Sequence, residues 1–149
     1  MAVIKDKANQ SAKVRVMPVS PTPQNITFSF RYLVSNKKYS FKYFRKNTRN
    51  SSDAYEALID RMQQLCKQNM NSAKASGKIS GCEPIPYKSF SSNMQSILDH
   101  IDIVSRDSFL TVFRFGGNDY RLICKTDLQH PNILHVIAFD FDFSAYSHG

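Results

Sequence analysis

The chain has no tryptophan, five glycines and three cysteines in 149 residues. The cysteines, Cys66, Cys82 and Cys124, are odd in number and show no C-x-x-C spacing. A disulfide framework or zinc site is therefore not expected, and a reducing cytoplasm fits best. No apolar run approaches the ~18 residues of a membrane span, so no membrane partner is expected. The opening stretch, MAVIKDKANQSAKVRVMPVSPTPQ, lacks an apolar h-region and does not read as a signal peptide. Gly-rich phosphate loops, G-x-S-x-G and H-E-x-x-H are missing too, and His100, His130, His135 and His148 lack metal-ligand spacing. Neither a cofactor nor a metal is expected.

Acidic residues are scarce at one end. Residues 1–50 hold eleven Lys/Arg against Asp6 alone, or +10, whereas residues 51–149 hold nine against eleven, or −2. Such asymmetry points to an anionic partner, either nucleic acid or an acidic protein. Residues 1–24 read as a flexible basic arm, because PVSPTPQ places three prolines within six positions.

The remainder, residues 25–149, reads as a single α+β domain, with 11 Phe and 7 Tyr as bulky core material. In ITFSFRYLVSNKKYSFKYF, aromatic residues alternate with polar ones on both sides of a short polar turn. That pattern predicts a hairpin with Arg31 and Lys42 on its wet face. A helical stripe follows, made of Tyr55, Leu58, Ile59, Met62, Leu65, Cys66 and Met70. About twenty residues without a period come next, then a shorter helix with a serine cap and Met94, Ile97, Leu98 and Ile101 inward. SFLTVFRF, DYRLICK and ILHVIAFDFDF complete the chain as strands, the first two joined by GGND, whose Gly and Asn suit a tight turn. The expected fold is an antiparallel sheet of about five strands, an N-terminal hairpin plus a C-terminal three-stranded meander, with two helices packed on one face.

Counting outward from Gly117 and Asn118 sets Arg114 opposite Arg121. Alternation places both on one face with Leu110, Val112, Ile123 and Lys125, and gives Phe113, Phe115, Tyr120, Leu122 and Cys124 to the core face. Opposed arginines repel, so an anion should lie between or above them. Asp140 and Asp142 on the last strand are one source of that charge; a phosphate gripped by both guanidinium groups is the other. Tyr146 and His148 follow within a few residues. His148 ordinarily titrates near pH 6.5, and Tyr146 can serve as an acid, orient the base or stack on an exposed base. Cleavage of RNA through its own 2′-hydroxyl needs a base, cationic donors for the phosphorane and an acid for the 5′-oxygen. Arg114, Arg121, Tyr146 and His148 supply those roles. Lys125, Arg31, Lys42 and Arg45 are the candidate RNA contacts. Cys66, on its helix stripe, and Cys124, on the core face, do not look like activated nucleophiles.

YRLICKTDLQHPNILHVIAFDFDFSAYSHG resembles the C-terminal half of the RelE/HigB-like bacterial toxins, small basic ribonucleases of toxin–antitoxin modules. Their "yR-apolar" strand, turn, apolar strand and late Tyr or His correspond here to Tyr120-Arg121-Leu122-Ile123, Ile133 to Phe141, and then Tyr146 and His148. The resemblance implies mRNA cleavage, often on the ribosome, and neutralisation by a cognate antitoxin. The family usually opens with one strand before its helices, so the expected hairpin is a departure. Asp140 and Asp142 stand where the toxins more often keep neutral or basic residues. The competing expectations are a non-catalytic nucleic-acid-binding module and a protein-interaction module, from a phage or mobile element.

Overall fold

The computed structural model describes residues 23–35, 38–47 and 51–147. The expected arm therefore falls outside the described residues except at Pro23 and Gln24, whose carbonyls accept hydrogen bonds from the Asn132 amide. In chain order the elements are β1 (Thr27–Ser29), α1 (Phe41–Asn47), α2 (Ser51–Cys66), α3 (Met70–Ala75), α4 (Gly77–Ser80), β2 (Cys82–Pro86), α5 (Ser92–Leu98), β3 (Phe109–Phe115), β4 (Tyr120–Thr126) and β5 (Ile133–Asp140). The class is α+β, around a five-stranded sheet ordered β1-β5-β4-β3-β2. Among the described residues no helix is long and apolar enough to cross a membrane.

The C-terminal meander forms as its alternation predicts, with Arg114 opposite Arg121 and Phe115 opposite Tyr120. The N-terminal hairpin does not form, and the sheet is mixed. β1 is a single three-residue strand lying parallel to β5. Beyond β1, loop backbone continues along β5: Val34 N–H donates to Ile137 O at 2.9 Å, and Phe139 N–H to Tyr39 O at 2.9 Å. The outer edge of β5 thus takes up the segment expected to pair with itself. The second half of the supposed hairpin is α1. Ser40 starts it, its hydroxyl accepting from Tyr43 N–H at 3.3 Å as a helix-capping serine does. Phe41 and Phe44, one turn apart, then stack on Phe139 and Phe141 of the last strand and its exit. Helical i,i+3 spacing meets strand i,i+2 spacing, so the aromatic pattern is satisfied by two different elements.

Two apolar clusters flank the sheet, and strand alternation separates them. Phe113, Phe115, Leu122 and Cys124 pack with Leu58 and Leu65 of α2 and Met70 and Ala73 of α3. Leu110, Val112 and Ile123 pack instead with Met94 and Leu98 of α5. The two main helices therefore serve opposite faces rather than one, because both faces of the meander are apolar along most of their length. A bulge in β5 has the same cause. Ile123 faces Ala138 while Cys124 faces Val136, so Ile137 and Ala138 both join the α5 side.

Two further expectations are corrected. Ile59 is exposed, and so is Cys66, which lies on the outer side of α2 rather than on its stripe. The stretch without a period holds α3, α4 and β2. β2 was hidden by Pro84 and Pro86, which an edge strand tolerates where a central one does not.

Candidate functional site

The site begins at the β3–β4 turn. Gly116 and Gly117 have φ of +60° and +68°, the left-handed region that glycine enters without strain. A methyl group at Gly116 would also meet the Tyr120 ring at 2.6 Å. The turn closes with Asp119 N–H donating to Gly116 O at 3.3 Å. Asn118 then serves both arginines at once: its side-chain oxygen accepts from Arg114 Nη1 at 3.1 Å, and its backbone carbonyl from Arg121 Nη1 at 2.6 Å.

Arg121 is only 4% exposed. It also donates to Tyr120 O at 3.1 Å and, through Nε, to the Tyr146 hydroxyl at 3.2 Å. Its guanidinium carbon lies 4.9 Å from the centre of the Phe143 ring, a cation–π contact. Arg114 is less deeply placed, but its Nε is buried with no hydrogen-bond acceptor among the described residues. Its backbone is held from the other side by Arg61, which donates to the carbonyls of Arg114, Ser80 and Gly81 where β3 runs past the end of β2.

The carboxylates expected to neutralise this pair do other work. Asp140 sits opposite Arg121 and is fully buried, but its oxygens accept the backbone N–H groups of Asp142, Ser144 and Ala145 at 3.1–3.3 Å. Burial, joined by a hydrogen bond to the Asp142 carboxyl, pushes its own carboxyl above the usual range, against those backbone hydrogen bonds. Asp142 turns out of the strand and pairs with Lys38 at 3.5 Å. Among the described residues neither guanidinium forms an ion pair.

Asp140 therefore acts as a clasp on the turn that follows β5. It sets Phe143 over Arg121 and delivers Tyr146, which forms an isolated bridge to Phe90. Ser91 N–H donates to Ala145 O at 2.8 Å and Ser147 N–H to Ser89 O at 3.3 Å, so the segment is anchored on both sides of Tyr146. The tyrosine is 5% exposed. Burial raises its hydroxyl pKa, with the Arg121 hydrogen bond and charge pulling the other way, so it keeps its proton at neutral pH.

The structure thus joins Arg114, Arg121 and Tyr146. His148 lies outside the described residues. The expected RNA contacts gather elsewhere. Lys42 and Arg45 are exposed on α1 rather than on a sheet face, and Arg31 is exposed in the turn after β1, over the Tyr32 ring. Lys125 is half-buried at the far end of β4 opposite His135, where burial lowers its ammonium pKa despite Asp127. Sequence reasoning missed the roles of Asn118, Phe143, Arg61 and the Asp140 clasp. Only Asn118 carried a signal, as a turn residue; the other contacts depend on the fold. No family model matches the chain, and no curated protein or solved structure matches it.

Proposed function

We propose that this chain is a metal-independent endoribonuclease of the RelE/HigB toxin kind, acting in the cytoplasm on mRNA, free or ribosome-bound, and restrained by an acidic antitoxin. The observation that carries this reading is a buried guanidinium with no counter-ion. A charge taken out of water is ordinarily paired within the fold, because the desolvation cost is several kcal/mol. Arg121 has carbonyls, a hydroxyl and a ring around it but no carboxylate in ion-pair range, and Arg114 across the turn holds an N–H without an acceptor. A phosphodiester above the hairpin supplies the missing charge. The single strand ahead of the first helices supports the same reading, since the extra hairpin that set this chain apart from the family is gone, while β2 between α4 and α5 is a new departure from it.

In this mechanism Arg114 contacts the scissile phosphate, and Arg121 is a positioning residue that holds Tyr146 and adds its field from below. The 2′-oxygen attacks phosphorus as its proton passes to the His148 imidazole. The bond to the 5′-oxygen breaks, and that oxygen takes the Tyr146 hydroxyl proton, leaving a 2′,3′-cyclic phosphate and a 5′-hydroxyl. The phosphorane charge is met by the guanidinium groups.

Induction in bacteria tests this directly. Wild-type protein is expected to arrest growth and leave cyclic-phosphate RNA ends, and Arg114→Ala to abolish both while the thermal midpoint of the purified protein stays put. Salt-sensitive RNA binding by a wild-type protein that leaves free and ribosome-bound RNA intact would defeat the nuclease reading. It would favour the non-catalytic one, which the exposed Lys42 and Arg45 of α1 support.

A further inference from the structure

Where α1 meets the exit of β5 there is a cavity of about 220 Å³ lined by Lys38, Tyr39, Tyr43, Phe44, Phe141 and Asp142. It is smaller than the ~300–1,000 Å³ of sites for drug-sized ligands, and suits a single planar ring system. Its apolar side is Phe44 stacked on Phe141, centroids 3.6 Å apart and planes 14° off parallel. Tyr43 lines it while keeping 39% of its surface exposed. At its polar side the Lys38 ammonium and the Asp142 carboxylate stand 3.5 Å apart, a donor beside an acceptor whose Oδ1 already takes the Ser144 hydroxyl and N–H.

Two observations tie this cavity to a polyanion with flat bases. The helix that forms one wall carries Lys42, Arg45 and Lys46, all exposed, and no acidic residue. A basic stripe beside an aromatic recess is how single-stranded nucleic acid is held, with phosphates on the cations and bases on the rings. The backbone is also strained on both sides of the corner. Tyr39 and Phe143 have φ of +74° and +60°, which bulky residues rarely adopt and which concentrates at ligand clamps. Tyr39 lines the cavity and its hydroxyl hydrogen-bonds Ser144 at 3.0 Å, while Phe143 covers Arg121. One turn, residues 140–145, thus serves both the cavity and the arginine pair.

We propose that this cavity receives one base of single-stranded RNA, stacked against Tyr43, with guanine preferred because its O6 accepts from Lys38 while its N1–H and N2–H donate to Asp142. They displace the Ser144 hydroxyl, which keeps the Tyr39 hydroxyl as its partner. Lys42, Arg45 and Lys46 take the flanking phosphates. Adenine offers no carbonyl to the ammonium, and uracil offers the carboxylate one donor instead of two. The inference rests on the RNA reading above and adds to it a base subsite beside the cleavage site.

The test uses the full chain and fluorescent 2′-O-methyl RNA dodecamers, which cannot be cut through a 2′-hydroxyl, so binding is read without cleavage. One oligonucleotide is all uridine; the others carry a single central guanosine or adenosine. Wild-type protein is expected to bind the guanosine oligonucleotide about five- to tenfold more tightly than the others. Tyr43→Ala is expected to weaken that complex by between about fivefold and a hundredfold. Asp142→Asn is expected to erase the preference for guanosine. Equal affinities for the three oligonucleotides, or variants that bind as wild type does, would overturn the subsite. Guanosine-selective binding by a protein that cleaves no RNA would uphold the subsite and remove the nuclease reading. Cleavage indifferent to both substitutions would do the reverse.

Discussion

The two ends of β4 treat charge in opposite ways. At the Lys125 end, His135 Nε2 lies 2.8 Å from Asp127 Oδ1. The other oxygen of that carboxylate accepts the N–H groups of Gln129 and His130 at 3.0 and 3.1 Å. Of the buried side-chain polar atoms at this end, His135 Nδ1 alone is without a hydrogen-bond partner among the described residues. At the Arg121 end a cation is buried more deeply, and the nearest carboxylate in register, Asp140, is committed to backbone amides. A fold that meets its own charge, as at the first end, needs nothing more. A fold that buries a charge and spends the adjacent carboxylate elsewhere leaves that charge open to an anion from outside, as the proposed reading requires.

Of changes that bear on this contrast, the largest effect should come from removing that cation. Arg121→Met keeps the length of the side chain and drops the charge. Replacing a poorly compensated buried ion by an apolar group is often close to neutral for stability. RNA cleavage should fall by a hundredfold or more, the loss typical of a removed transition-state donor network, while stability changes by about 1 kcal/mol or less. Urea unfolding and a cleavage assay on the same preparation check it. Should the variant unfold easily, by about 3–5 kcal/mol, yet still cut RNA, Arg121 would be a structural ion and the contrast between the two ends would vanish.

Next in size is Asp140→Ala. It strands the backbone donors of Asp142, Ser144 and Ala145 in a buried turn. Each orphaned donor costs about 1–3 kcal/mol, offset by no longer burying a carboxyl, so a net loss of about 2–3 kcal/mol is expected. Cleavage should drop as well, because the clasp sets both Phe143 and Tyr146. Native-state hydrogen exchange, reading the amides of residues 142–146, separates local opening from global unfolding.

These contacts also mark where sequence reading stops. The arginine pair was legible because its register depends on a short turn and on counting, both local. The same holds for α5, whose Ser91 hydroxyl accepts from Met94 N–H at 3.2 Å. The parallel pairing of β1 with β5 joins residues about a hundred positions apart, which no local alternation encodes. Residues 26–43 do alternate, but one aromatic pattern fits a hairpin or a strand, a loop and a helix equally well. Only Ser40 hinted at the helix. Asp140 and Asp142 share parity in the sequence, which suggested a common task; the turn after β5 divides their other partners, amides for Asp140 and Lys38 for Asp142, while the two carboxyls stay hydrogen-bonded to each other. Charge on a strand can be counted from the sequence, but whether it is met requires the neighbours.

The smallest expected effect tests the satisfied end. The Asp127 carboxyl is held below its ordinary value first by the hydrogen bond from His135 and then by the backbone amides of Gln129 and His130, against some burial. A depressed carboxyl contributes stability that is present above its unfolded value of about 3.9 and is lost as pH falls through its folded value. Asp127→Asn should therefore unfold at lower urea than wild type near neutral pH, by less than about 1 kcal/mol given solvent screening. That gap should begin to narrow as pH falls below about 3.9 and close once it has passed the depressed folded value, where the wild-type carboxyl is protonated too. Asp140 has the opposite sign, since burial holds its carboxyl up, but it is common to both proteins and cancels in the difference. RNA cleavage by Asp127→Asn should match wild type. A loss of cleavage in this variant would mean that the Lys125 end also meets RNA, and the charge pairing there would have to be read as part of the site.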